Sequence, residues 1–123
     1  MERDLFTEKV IGCAIEVHRS LGPGLLESTY QKCLAREFTI QQVPFKLEHP
    51  VPIEYKGIHL DCGYRVYVLV DNKLILELKA VDKINNIHAA QILSYMKLSR
   101  INTGLLINFN VQKLVDGIQR FVL

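Results

Sequence analysis

Cysteine is scarce in this chain: Cys13, Cys33 and Cys62 make an odd number with no CxxC pair. That argues against a disulfide framework or a zinc ribbon and suits reduced thiols in a cytosol. No apolar run approaches the roughly 20 residues needed to span a bilayer, so no membrane role is expected. The start, Met1-Glu2-Arg3-Asp4, is too charged to open a signal peptide. Charge of one sign is lacking too, with a net value of +2. No global basic field therefore argues for nucleic acid, and any such role must rest on a local patch. Internal repeats and low-complexity linkers are absent. What remains is a chain of 123 residues, 49% apolar and 23% charged. That is enough for one core and not for two, in an ordinary cytoplasmic globule.

Helical and extended patterns alternate along the chain. Leu5, Val10, Ala14, Val17 and Leu21 predict a helix over 3–20, ended by Gly22-Pro23-Gly24. Tyr30, Leu34 and Phe38 predict a second over about 26–42, stopped by Pro44, with a possible capping box in Ser28-Thr29-Tyr30-Gln31. Period-two patterning from Phe45 to Tyr55, broken by Pro50 and Pro52, reads as an edge strand. Residues 63–70 and 73–79 read as an antiparallel pair, and 86–100 as a third helix with Ala90, Leu93 and Leu98 inward. Gly104 to Phe109 is wholly apolar up to Asn108, the pattern of a strand covered on both faces. The tail from Gly117 adds a last strand or a short helix. Helices before, between and after strands imply an α/β fold, a central mixed sheet with helices on both sides.

Chemistry concentrates at Glu77-Leu78-Lys79, which ends the apolar run Leu74-Ile75-Leu76. On a strand Glu77 and Lys79 share one face, with Leu78 buried behind them. Side by side, a carboxylate and an ammonium can hold a divalent metal and polarise a phosphate, or they can form a plain solvated pair. A site that cuts phosphodiesters this way needs a second carboxylate from the neighbouring strand. That strand, Tyr64 to Val70, contains none.

Gly24-Leu25-Leu26-Glu27-Ser28-Thr29-Tyr30 fits the motif that names the GxxExxY proteins. Tyr55-Lys56-Gly57, Gly63-Tyr64-Arg65, Glu77-Leu78-Lys79-Ala80, Gln91, Tyr95 and Gly104 to Phe109 resemble the same family in the same order, over about residues 8–122. The resemblance implies the restriction-endonuclease-like core of the PD-(D/E)xK superfamily: a three-layer α/β/α sandwich, with residues 1–123 as a single nuclease-like domain. It also implies Mg²⁺ or Mn²⁺ held by Glu77 and Glu27, with Lys79 orienting the attacking water. Gln91 and Tyr95, four apart on one helical face, and Arg65 would contact nucleic acid. Other features have plainer readings: acids are favoured at a helix start such as Glu27, and His18 and His88 read as helix-face histidines.

One position departs from the pattern. Counted from Arg65, the family aspartate should stand where this chain has Tyr67. A phenol, with a pKa near 10, is a poor magnesium ligand at neutral pH. Asp61 and Asp71 lie six residues from Tyr67 and Glu77 respectively, roughly 20 Å along extended chain, too far to substitute. Position 67 shares a face with Glu77 only if the two lie opposite, which needs an odd loop such as Asp71-Asn72-Lys73. Two readings follow. One is a metal-dependent nuclease with impaired cleavage. The other is a non-catalytic module that binds nucleic acid or protein, with Tyr67 as a stacking face or a plug in a vacated metal site. An exposed edge near Val51–Tyr55 would allow a homodimer.

Overall fold

The computed structural model describes residues 4–123. The expected helix start at Arg3, and residues 1–3 of the charged N-terminus, lie outside them. Helix α1 (Leu5–Leu21) is capped by Asp4, whose carboxylate accepts from the Thr7 amide at 2.6 Å and the Thr7 hydroxyl at 2.9 Å. Val10, Ala14 and Val17 are buried as their spacing predicts, whereas Leu5 and Leu21 overhang at the two ends and are exposed. Helix α2 (Glu27–Ile40) buries Tyr30, Gln31, Leu34 and Phe38. The expected capping box does not form: Leu26 holds the cap position, and no side chain caps the helix.

The strands are β1 (Phe45–Pro50), β2 (Ile53–Tyr55), β3 (Ile58–Leu60), β4 (Arg65–Val70), β5 (Leu74–Lys79), β6 (Thr103–Asn108) and β7 (Ile118–Val122). Helix α3 (Asn86–Ser99) lies between β5 and β6, and a 3₁₀ turn (Leu114–Gly117) precedes β7. Five strands form one mixed sheet in the order β1-β4-β5-β6-β7, parallel only at β5/β6, where α3 makes the crossover. The segment expected to run on as an edge strand leaves the sheet after Pro50. There, β2 and β3 pair with each other, as a separate hairpin. Ile53–Tyr55 is therefore an edge of this small hairpin and not of the main sheet.

Helices α1 and α2 cover one face, burying Val68, Val70, Leu76, Leu78, Leu105 and Ile107 against Val10, Tyr30, Leu34 and Phe38. The other face buries Leu69, Ile75 and Leu106 against Ile92, Tyr95 and Met96 of α3. The architecture is a three-layer α/β/α fold, and the apolar β6 is buried on both faces. The phase of α3 corrects the expectation, since Ala90 and Leu98 point outward. This helix is apolar on several stripes, so spacing alone selects none. Gly104 makes the choice, because a Cβ there would lie 2.8 Å from Met96 Sδ and 2.9 Å from Ile92 Cδ1. The helix rests directly on that glycine.

Candidate active site

The segment Gly24 to Tyr30 builds the entry to the site. Gly22 and Gly24 take φ of +72° and +96°, a region that L side chains rarely adopt. The buried Tyr30 hydroxyl donates to the Gly22 carbonyl at 2.6 Å and accepts from the Leu25 amide at 3.3 Å. Its ring stacks on Phe109 at 4.2 Å between centroids. Glycine and tyrosine thus hold the turn, and the turn sets Glu27 as the first residue of α2, half-buried.

Across the sheet lies the row Glu48–Tyr67–Glu77. Val70 pairs with Leu74 across the three-residue loop Asp71-Asn72-Lys73, and Val68 pairs with Leu76, so the register sets Tyr67 opposite Glu77. The ladder stops one pair short of them. Strand alternation also breaks here: Val66 and Val68, two apart, are buried in opposite cores. The Tyr67 ring packs against the α1/α2 core, whereas Glu77 has the strand parity of Ile75, which faces α3. The ring thus leans on the α1/α2 core, while its hydroxyl still lies in the field of Glu27, Glu77, Glu48 and Tyr95. On the other side, β1 pairs with β4 at Leu47–Val68 and His49–Val66 but skips Glu48–Tyr67, and Glu48 has φ +51°. The Tyr67 carbonyl accepts from Gln31 Nε2 at 2.8 Å, and its amide donates to the Glu77 carboxylate. The same Gln31 nitrogen donates to Glu48 Oε2 at 2.9 Å.

Lys79 Nζ donates to Gln91 Oε1 at 2.9 Å, and Gln91 Nε2 donates to the Tyr95 hydroxyl at 3.2 Å. Gln91 and Tyr95 thus share one face, as their spacing predicts, and both are committed to holding the lysine. Tyr95 is only 8% exposed. Arg65 turns away from the row, onto Asp61 at 3.4 Å and the Tyr64 carbonyl at 2.9 Å. Asp71 pairs with Lys73 in the hairpin loop, so neither upstream nor downstream aspartate joins Glu77. His18 is buried on the Val111 carbonyl at 2.8 Å, and His88 completes a capping box with Asn85, so both are structural.

Glu77 is 2% exposed, and its Oε1 has no hydrogen-bond partner. Burial pushes its carboxyl from 4.5 up to about 7, against the lowering effect of Lys79 and the Tyr67 amide; the charge of Glu48 raises it further. Burial also raises the Tyr67 phenol, and Glu27, Glu77 and Glu48 add to that in turn. The phenol is neutral at physiological pH. Two members of this constellation, Glu48 and Gln31, have no signature in the sequence motif. Gln31 was within reach from its i, i+4 spacing to Glu27, and Glu48 only from the β1–β4 register.

The fold and this row define a nuclease-like α/β protein. The family model of the PD-(D/E)XK nuclease superfamily matches residues 4–121, and the chain belongs to that superfamily. Comparison with curated proteins and with solved structures yields no significant match. Such a family implies a divalent cation, and the side chains fit one in part. The buried, unpaired oxygen of Glu77 is an acceptor that a cation would satisfy. Tyr67 offers no anionic ligand. Among the described residues no three His, Cys, Asp or Glu side chains are grouped to hold a metal by themselves. A hard cation often has one or two carboxylates, with water and substrate phosphates completing its shell, and that is all this row can supply.

Proposed function

We propose that this chain is a GxxExxY-type nuclease-like protein that acts on nucleic acid, with phosphodiester cleavage impaired by Tyr67. The observation that carries this reading is the pair Tyr67–Glu77: a neutral phenol holds the position opposite Glu77, which among the described residues is the buried carboxylate with a free oxygen. Glu77 and Glu27 would hold Mg²⁺ or Mn²⁺. When bound, the cation stabilises charge on the attacking and leaving oxygens of the phosphodiester. Lys79, steadied by Gln91, orients water. Gln91 and Arg65 meet the substrate, and Tyr95 backs Gln91. Residues 1–123 act as one domain. Three free thiols support a cytoplasmic setting, and no helix among the described residues is long and apolar enough to cross a membrane. The second reading, a non-catalytic module binding nucleic acid or protein, draws support from the lack of a grouped three-ligand set among the described residues.

The test is cleavage of labelled single- and double-stranded DNA and RNA with Mg²⁺ or Mn²⁺, comparing the chain with Tyr67→Asp. Tyr67→Asp is expected to cut faster than the native chain by orders of magnitude. Equal cutting by both refutes the impairment. Binding without cutting by either one favours the module.

A further inference from the structure

The geometry points to Glu48 as the carboxylate that takes the place of the one missing at position 67, forming with Glu77 a divalent-cation site. The inference rests on the nuclease-like reading and names a ligand outside the sequence motif. Glu48 occupies the rung of β1 that faces Tyr67, one strand beyond the expected aspartate, and its backbone leaves the ladder there at φ +51°. A chain of contacts ties it to Glu77: Glu48 Oε2 accepts from Gln31 Nε2 at 2.9 Å, Gln31 Nε2 donates to the Tyr67 carbonyl at 2.8 Å, and the Tyr67 amide donates to the Glu77 carboxylate. Glu77 then brings an independent sign of a ligand, since its other oxygen is buried in the row without any partner. An unsatisfied buried acceptor is costly, and a cation shared with a nearby carboxylate removes that cost. Exposed on the surface, Glu48 has freedom to turn from Gln31 toward a cation.

Mn²⁺ binding, measured by calorimetry and by the electron paramagnetic resonance of the free ion, needs no catalysis. The native chain is expected to bind Mn²⁺, and Glu48→Gln to weaken binding by roughly tenfold or more, because ligand charge sets the affinity of hard cations. Glutamine keeps the acceptor for Gln31, so the fold should persist; Glu48→Ala serves as a second variant, with circular dichroism checking both. In Glu48→Gln/Tyr67→Asp the affinity should return. Native affinity in Glu48→Gln and Glu48→Ala, beside a loss in Glu77→Gln, overturns the role of Glu48. So does a native chain that binds no Mn²⁺ while Tyr67→Asp binds it and cuts nucleic acid, and the nuclease-like reading then survives. If neither the native chain nor Tyr67→Asp binds or cuts, both fall together.

Discussion

Replacing Glu77 by glutamine should change how stability depends on pH, by an amount the structure supplies. The folded carboxyl titrates at about 7 instead of 4.5, chiefly because it is buried. At acidic pH below both values it is protonated folded or unfolded and costs nothing. As pH rises, the unfolded chain releases this proton first while the folded chain keeps it, so stability falls until pH passes the folded value and then levels off. At about 1.4 kcal/mol per pH unit, the gap between the two values amounts to about 3 kcal/mol. For a chain of this length that is roughly 10 °C in Tm. Glu77→Gln removes the titration, so its stability relative to the native chain should rise by this amount between about pH 4 and about pH 8. Any packing or hydrogen-bond cost of the amide is the same at every pH, which makes the slope the readout and not the offset. Thermal or urea denaturation followed by circular dichroism, with chelator present, measures it. Two profiles running parallel over that range would refute a buried, protonated Glu77.

Three further outcomes test neighbouring parts. Tyr30→Phe leaves the Gly22 carbonyl without its 2.6 Å donor, and should cost about 1 kcal/mol in denaturant titration; in the Tyr67→Asp background it should also slow cleavage, as Glu27 loses its fixed start. Gly104→Ala drives a Cβ into Met96 and Ile92 and should cost about 1–3 kcal/mol, whereas Ala90→Ser on the outer face of α3 should be near neutral. Lys79→Ala in the Tyr67→Asp background should cut cleavage by roughly 10² or more, as expected for loss of one preorganised donor, while nucleic-acid binding in a gel-shift assay falls far less.

The fold was legible wherever one pattern excluded its rivals. The apolar run that opens 74–79, the both-faces apolar run of 104–109 and the glycine-proline turn after α1 each admit one placement, and the structure has them so. The phase of α3 was not legible, because Ile87, Ala89, Ala90, Ile92, Leu93, Met96 and Leu98 supply several apolar stripes. Choosing among them takes the close approach at Gly104, a tertiary fact. The hairpin of β2 and β3 was half hidden, since Ile58-His59-Leu60 is too short to carry a period. At the site, the spacing put Gln91 and Tyr95 on one helical face but did not foretell the bonds that tie them to Lys79. The turn of Tyr67 toward the α1/α2 core did not follow from it. Period-two reasoning assumes an unbroken pleat, and here the pleat breaks at that residue. Glu48 was invisible for a similar reason, because its relevance depends on which strand β1 pairs with.

Irregularity in this sheet sets in at one row, and its distribution bears on what Tyr67 does there. The β1–β4 ladder fails at Glu48–Tyr67, the β4–β5 ladder stops before Tyr67–Glu77, and Glu48 takes a positive φ. A non-glycine residue in that region costs of order 1–3 kcal/mol and persists only where its surroundings demand it. Had the tyrosine simply sealed a vacated metal site, its hydroxyl would be the natural donor to Glu77 Oε1, and the buried acceptor would be satisfied. Instead the ring leans on the opposite core, and that oxygen stays bare. The amide and ammonium donors nearby are aimed elsewhere: Lys79 at Gln91, Gln91 at Tyr95, and Gln31 at Glu48 and the Tyr67 carbonyl. The row thus retains a buried carboxylate oxygen that no neighbour satisfies, which is a cost to a purely structural protein and an asset to one that takes its missing partner from solution.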